Sequence, residues 1–223
     1  MRKYVNLEKQ LFIDVTNDEW AESSREWCNL WNIYTWESGH RSPDKHDYKT
    51  FDHFLENYFT EKQLDNLDKH RTSGSEHFEA LEKAFNKIGY LIAPVNRYEH
   101  GSVNYSVSTA SGWDCGIVGI AIVSYDKLKH EYISKIVSKQ VKDRAFKRLS
   151  LELKDYTSWA NGEVYCASLM NFKGECIDSV SNIYGDTEKD IIEVYLDYTE
   201  YNFNDFQLME LQANTYTEYK AVL

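Results

Sequence analysis

The sequence predicts an α+β fold, mostly antiparallel sheet with packed amphipathic helices. Short runs alternate apolar and polar residues with period two, whereas other segments repeat their apolar residues at helical spacing. The two kinds of segment are grouped, without the regular strand–helix–strand alternation of a parallel sheet. At 223 residues the chain suits one domain, or a domain with a smaller lobe, and is long enough to bury a sizeable core. The expected division is an aromatic-rich, mostly helical lobe over 1–87 and an α+β core with an acidic C-terminal helix region over 88–223.

Thr16-Asn-Asp-Glu19 has the form of a capping box, in which the Thr hydroxyl and Glu carboxylate satisfy free backbone N–H groups. Trp20, Trp27, Leu30, Trp31 and Tyr34 come next, roughly on one helical face. The run from Trp27 to Trp36 reads equally as a strand, because aromatic and β-branched residues favour the pleated surface. Thr60-Glu-Lys-Gln63 and Ser73-Gly-Ser-Glu76 are further capping boxes. After the second, Phe78, Leu81, Phe85 and Ile88 keep helical spacing, and Gly89 stands where a helix C-cap belongs.

From Tyr90 the period changes. Residues 90–95 and 103–107 alternate as strands around a turn at Glu99-His-Gly-Ser102. Ile117–Val123 is a continuous apolar run, expected as a central strand buried on both faces. Ser124 is the expected cap of a helix in which Leu128, Tyr132, Ile133, Ile136 and Val137 make one stripe. Val141, Ala145, Leu149, Leu153 and Tyr156 form a second stripe that stops at Asn161-Gly162. Residues 163–180 read as a hairpin around Lys173-Gly174. A last helix opens with a Thr187/Asp190 capping pair and buries Ile191, Ile192, Tyr195 and Leu196.

The formal net charge is −11, unevenly spread. Residues 1–87 carry −5, residues 88–183 carry +1 and residues 184–223 carry −7. Such a chain is repelled by nucleic acid and attracts a basic partner, so direct nucleic-acid binding is not expected. No apolar stretch is long enough to span a membrane, and the N-terminus lacks the apolar core of a signal peptide. Together with four cysteines that show no CxxC spacing, this predicts a cytoplasmic protein with free thiols. The abundant Tyr and Trp suit interfaces, a homodimer among them.

Several constellations carry two readings. Cys115 in Trp113-Asp-Cys-Gly116 is a candidate nucleophile with His100 or His130 as base, and Gly112 and Gly116 would let backbone N–H groups approach a substrate. The other reading is a tight turn into a buried strand, with Cys115 packed as a small apolar group. His40, His46 and His53 share a loop-like region with Asp44, Asp47 and Asp52, but their spacing fits no metal motif. Nothing in the pattern demands a metal or cofactor. The basic stretch 127–154 reads as a nucleic-acid face or as the solvated side of amphipathic helices. Asp186, Glu188, Asp190, Glu193, Asp197 and Glu200, with Tyr198 and Tyr201, are the candidate partner-binding residues. They offer carboxylates and aromatic anchors suited to a cationic groove, or serve as a solubilising surface. No phosphate-binding loop, nucleophile elbow, zinc-helix or dinucleotide motif occurs.

One set of motifs has a recognisable order. Ser24-Arg-Glu-Trp27-Cys-Asn-Leu30 is followed by Asp44-Lys-His-Asp-Tyr48, Arg97-Tyr-Glu-His-Gly101, Gly112-Trp-Asp-Cys-Gly-Ile-Val-Gly119, Trp159-Ala-Asn-Gly-Glu-Val-Tyr165 and Ile183-Tyr-Gly185. In order and spacing these resemble a family of small cytoplasmic accessory proteins of bacteriophages, plasmids and integrative elements. The likeness covers about residues 20–190 and is most specific in the W-D-x-G-x-V-G core. Members of that family usually carry Ser at the Cys115 position and Gln at the Ile117 position. The resemblance therefore implies a structural or recognition role for Trp113, Asp114, Gly116, Gly119 and Trp27, and no catalytic residue. It also implies a counter-defence setting, of the anti-CRISPR or anti-restriction kind, with a host defence nuclease or its nucleic-acid complex as partner. The alternatives are a Cys/His-dependent hydrolase or transferase centred on Cys115, and a nucleic-acid-binding accessory protein.

Overall fold

A computed structural model describes residues 2–37, 39–69, 74–108, 113–213 and 219–222. In chain order, β1 (Arg2–Asn6) and β2 (Leu11–Asn17) precede a 3-10 turn at Ser24–Glu26 and β3 (Asn32–Thr35). Three helices come next: α1 (Phe51–Leu55), α2 (Glu61–Asp68) and α3 (Gly74–Lys87). Then come β4 (Tyr90–Glu99), β5 (Val103–Ser106), β6 (Cys115–Ser124), α4 (Tyr125–Glu131) and α5 (Lys139–Ala160). The chain closes with β7 (Tyr165–Asn171), β8 (Cys176–Ile183), α6 (Glu188–Leu196), β9 (Gln207–Ala213) and β10 (Tyr219–Val222). Every strand pairing among the described residues is antiparallel, so the fold is α+β.

The chain divides into two compact units. Residues 1–22 and 158–223 form one, and residues 23–157 form the other. The boundary expected at residue 87 falls inside the second unit, where Phe85 of α3 shares a core with Ile92 of β4. The second unit is inserted into a β-ladder of the first: β2 enters it, β7 leaves it, and the two pair from Leu11↔Asn171 to Asn17↔Tyr165.

The first unit is a six-stranded sheet of order β10-β9-β1-β2-β7-β8. Alternation along β2 sends Leu11 and Ile13 into the core under α6, with Ala167, Leu169, Ile191, Ile192, Tyr195 and Leu196. Phe12 joins a smaller cluster with Val5 and Leu211. The capping pair that opens α6 is present: Asp190 N–H donates to the Thr187 hydroxyl at 3.2 Å, and Thr187 N–H to the Asp190 carboxylate at 2.9 Å. The β7–β8 hairpin turns at Gly174, with φ +81°, as its sequence predicts.

The second unit has a four-stranded sheet of order β3-β6-β4-β5. Ile92, Ile120 and Ile122 pack against Phe54, Leu55, Phe59, Leu67, Leu81 and Phe85 of the α1–α3 segment. The α5 stripe of Val141, Ala145, Leu149, Leu153 and Tyr156 is buried as its spacing predicts. Its carbonyl at Ala145 accepts the Trp31 indole N–H at 2.9 Å. The Thr60 box opens α2, with Gln63 accepting the Thr60 N–H at 2.9 Å. The cap expected at Ser73 lies outside the described residues; the helix expected after it is α3.

Three expectations are corrected. No helix begins at Thr16, because Thr16 and Asn17 are the end of β2, paired to Cys166 and Tyr165. Trp20 is therefore left 91% exposed while Trp31 is fully buried. The strand alternative for Trp27–Trp36 holds over Asn32–Thr35. Next, α4 stops at Glu131 and the backbone at Ile133 turns to φ +49°. Ile133 and Ile136 are consequently exposed rather than part of a stripe. Finally, only Ile120–Val123 of β6 are buried; Ile117 is exposed. Among the described residues no helix is long and apolar enough to cross a membrane.

Candidate functional site

The Trp113–Gly119 motif divides in two. Gly119 faces Thr35 across the β3–β6 ladder, and a Cβ there would lie 2.0 Å from the Tyr34 carbonyl oxygen. Only glycine lets the two backbones approach so closely. Gly116 is different, because a Cβ would meet nothing within 4 Å. Trp113 is completely exposed. Trp113 and Gly116 thus have no packing reason for their identity, whereas Gly119 has a strong one. Asp114 receives the Glu99 N–H on its carbonyl at 3.1 Å, and its carboxylate lies 3.7 Å from His100 Nδ1.

Cys115 begins β6, half-buried, opposite Tyr98. The His100 side chain, 78% exposed, faces Asp114, and no hydrogen bond joins it to Cys115. Gly112, the other glycine of the expected oxyanion arrangement, lies outside the described residues. On the neighbouring strand Arg97 bridges Glu37, at 2.7 Å, and Glu99.

A buried ionic cluster, not foreseen in the sequence, ties the second unit together. Arg25 forks onto Asp44 at 3.1 and 2.7 Å, reaches Glu152 at 3.2 Å and donates to the Trp31 carbonyl at 2.7 Å. Glu152 in turn accepts the N–H groups of Leu30 and Trp31 at 2.7 and 3.3 Å. Asp44 accepts the Ile33 N–H at 2.6 Å. With each charge paired and its remaining lone pairs occupied, the burial is tolerable. Trp27 sits just past the turn that positions Arg25, 43% exposed.

Among the remaining candidates, His46 packs its ring against Tyr34, Trp36 and Tyr48 and contacts the Thr35 carbonyl through Nε2 at 3.1 Å. Among the described residues no three His, Cys, Asp or Glu side chains converge as metal ligands. The basic stretch lies on α4 and α5, and much of it is engaged locally. Lys142 donates to Asn86 at 2.8 Å, Arg144 lies over the Tyr132 ring, and Lys127 donates to the Asn29 carbonyl at 2.9 Å.

The acidic candidates lie on and after α6. Glu188, Glu193, Asp197, Tyr198 and Glu200 are exposed, as is Asp186 just before the helix. Asp190 is held by the Thr187 cap, so its carboxylate is part of the helix start. Tyr201 is half-buried against Phe206, with Lys9 over its ring at 4.3 Å. Asp190, Glu193, Asp197 and Glu200 line an open groove of about 730 Å³ with Tyr201, Asn202 and Phe203. The Tyr195 hydroxyl, on the buried side of α6, donates to the Asp178 carboxylate at 3.3 Å. Burial and that neighbouring charge push its pKa up, keeping the phenol neutral.

Partition of charge between the units is the clearest electrostatic feature. The first unit holds six Lys and Arg against 17 Asp and Glu, a net of −11, and the second holds equal numbers of each sign. Within the acidic unit, residues 1–22 contribute −2 and residues 158–223 contribute −9, so its charge comes mainly from the C-terminal piece. Fold and surface together define a two-unit α+β protein with a neutral inserted unit and an acidic sheet unit. No protein-family model matches the chain, and neither does any curated protein or solved structure.

Proposed function

We propose that this is a binding protein of mobile-element origin that blocks a nucleic-acid-handling host defence protein by occupying its cationic surface. The observation that supports this most is the confinement of the whole net charge to residues 1–22 and 158–223. The exposed carboxylates of α6 and the adjoining Tyr198 stand on that unit. A surface of one sign steers a partner of the opposite sign and competes with nucleic acid for the same groove. The mobile-element setting rests on the resemblance carried by the ordered motifs from Ser24 to Gly185.

The test is affinity capture from nuclease-treated lysate of a bacterium carrying CRISPR and restriction systems, followed by binding measurements over a salt series. Retention of a defence nuclease, with affinity falling as salt rises, is the expected result. Reversing Glu193, Asp197 and Glu200 to Lys is expected to weaken binding at least tenfold, about 1.4 kcal/mol or more. Inhibition that survives the triple reversal refutes the acidic-surface mechanism.

A further inference from the structure

Each sheet has two outer strands, and their unpaired backbone groups are treated differently. In the inserted unit, β3 is sealed by the segment after it. Ile33 N–H goes to the Asp44 carboxylate, Ile33 C=O accepts the Asp44 N–H at 3.0 Å, and Thr35 N–H goes to the Ser42 hydroxyl at 3.1 Å. On β5, Tyr105 N–H is taken by the Thr157 hydroxyl at 3.0 Å. Among the described residues, β8 has one such seal, at its C-terminal end, where Asn182 N–H donates to the Asp18 carboxylate, and none from Cys176 to Ser181. This outer strand is eight residues long, and Cys176, Ile177, Asp178, Ser179 and Ser181 are all exposed. Outside the β7 ladder, the hydrogen bonds its backbone makes to described residues are Asn182 N–H to Asp18 at 2.9 Å and the Cys176 thiol to the Asp178 carbonyl.

We propose that the open edge of β8 receives an extended, Lys/Arg-bearing segment of the protein partner by strand addition. This rests on the reading of the acidic unit as a binding surface and names the form of the occupant. An open edge is a template for a further strand, which natural proteins ordinarily cover or blunt. The outer strands β3 and β5 of the inserted unit are blunted in this way, by Asp44, Ser42 and Thr157 side chains. A second copy of this chain is a poor occupant, because it would bring a unit of charge −11 against another. A cationic segment gains from the same field. Register shifts in the β7–β8 ladder, at Tyr165/Ala167 and Leu169/Met170, leave Asp178–Val180 as the regular stretch, so pairing centres on Ser179.

The probe is a synthetic octapeptide of alternating Lys and Val, used with the full chain at low salt. A matched peptide carries N-methyl groups on alternate amides, which keeps its charge and removes its ladder donors. Amide chemical shifts and hydrogen exchange locate binding by residue. The expected result is protection of amides in Ile177–Ser181 by the first peptide, and binding at least tenfold weaker for the N-methylated one. A Ser181→Lys variant, placing a like charge on the exposed edge, is expected to weaken the first peptide as well. Equal binding of both peptides, mapped to α6, overturns strand addition and leaves the acidic-surface reading standing. No salt-sensitive binding of either peptide overturns both.

Discussion

Replacing Arg25 with alanine removes a guanidinium whose side chain is 3% exposed and leaves Glu152, at 4%, as a buried carboxylate. Breaking one side of such a pair costs about 3–5 kcal/mol. Here Glu152 keeps two backbone N–H groups and Arg148, at 3.3 Å, so the lower end, about 3 kcal/mol, is expected. Against a typical domain stability of about 5–15 kcal/mol, that brings the inserted unit close to its limit. Arg25→Lys should lose about half as much, because an ammonium cannot fork onto Asp44 and also reach Glu152. Arg148→Ala is the control: its side chain is 47% exposed, and about 1 kcal/mol or less is expected. Urea denaturation supplies the magnitudes, and residue-resolved hydrogen exchange on β6 separates loss of this unit from loss of the other. If Arg25→Ala costs no more than Arg148→Ala, the cluster does not hold the unit together.

Gly119→Ala forces a Cβ onto the Tyr34 carbonyl, and no rotamer relieves it; a loss of about 3 kcal/mol or more is expected, with Gly116→Ala within about 0.5 kcal/mol of the parent. Equal denaturation midpoints for the two variants would refute the close-approach account. Asp155 has its carboxyl pKa raised from 3.8, chiefly by burial, with Lys154 and Arg148 opposing the rise and Glu152 adding to it. A raised folded-state pKa penalises the charged form, so the penalty is present above the folded pKa and absent below 3.8. Asp155→Asn should therefore be more stable than the parent at pH 7, and the advantage should vanish on acidification below the carboxylate range. A variant no more stable at neutral pH would contradict this.

Local signals were legible in the sequence. Caps at Thr60, Ser124 and Thr187, the positive-φ glycines at 89, 162 and 174, and the α5 stripe all depend on residues a few positions apart. The stretch from Thr16 to Tyr34 was not, because its structure is set by partners far along the chain. Thr16 and Asn17 read as a helix start until Cys166 and Tyr165 claim them for a ladder. The ionic cluster was half legible. Glu152 lies three residues after Leu149 and four before Tyr156, on the buried stripe of α5. A carboxylate there signals a buried partner, but nothing local points to Arg25 or Asp44. The acidity of the C-terminal end was visible, and the joining of residues 1–22 to it in one sheet was not. That union rests on pairings such as Tyr4↔Leu208.

Insertion of one unit into a ladder of the other has a consequence for synthesis on the ribosome. The β1–β2 hairpin emerges first, yet its neighbours β7 and β9 come from the last third of the chain. Residues 23–157 can collapse as soon as they are out, since their core is internal. Once they have done so, the long span between Asn17 and Tyr165 no longer behaves as a flexible loop, and the entropy of closing it falls. The neutral unit thus acts as a folding clamp for the charged one. The charged sheet is the last part of the molecule to be completed, and a ribosome stalled before Gln207 would release a chain that lacks β9 and β10, with β1 left as a bare edge of the sheet.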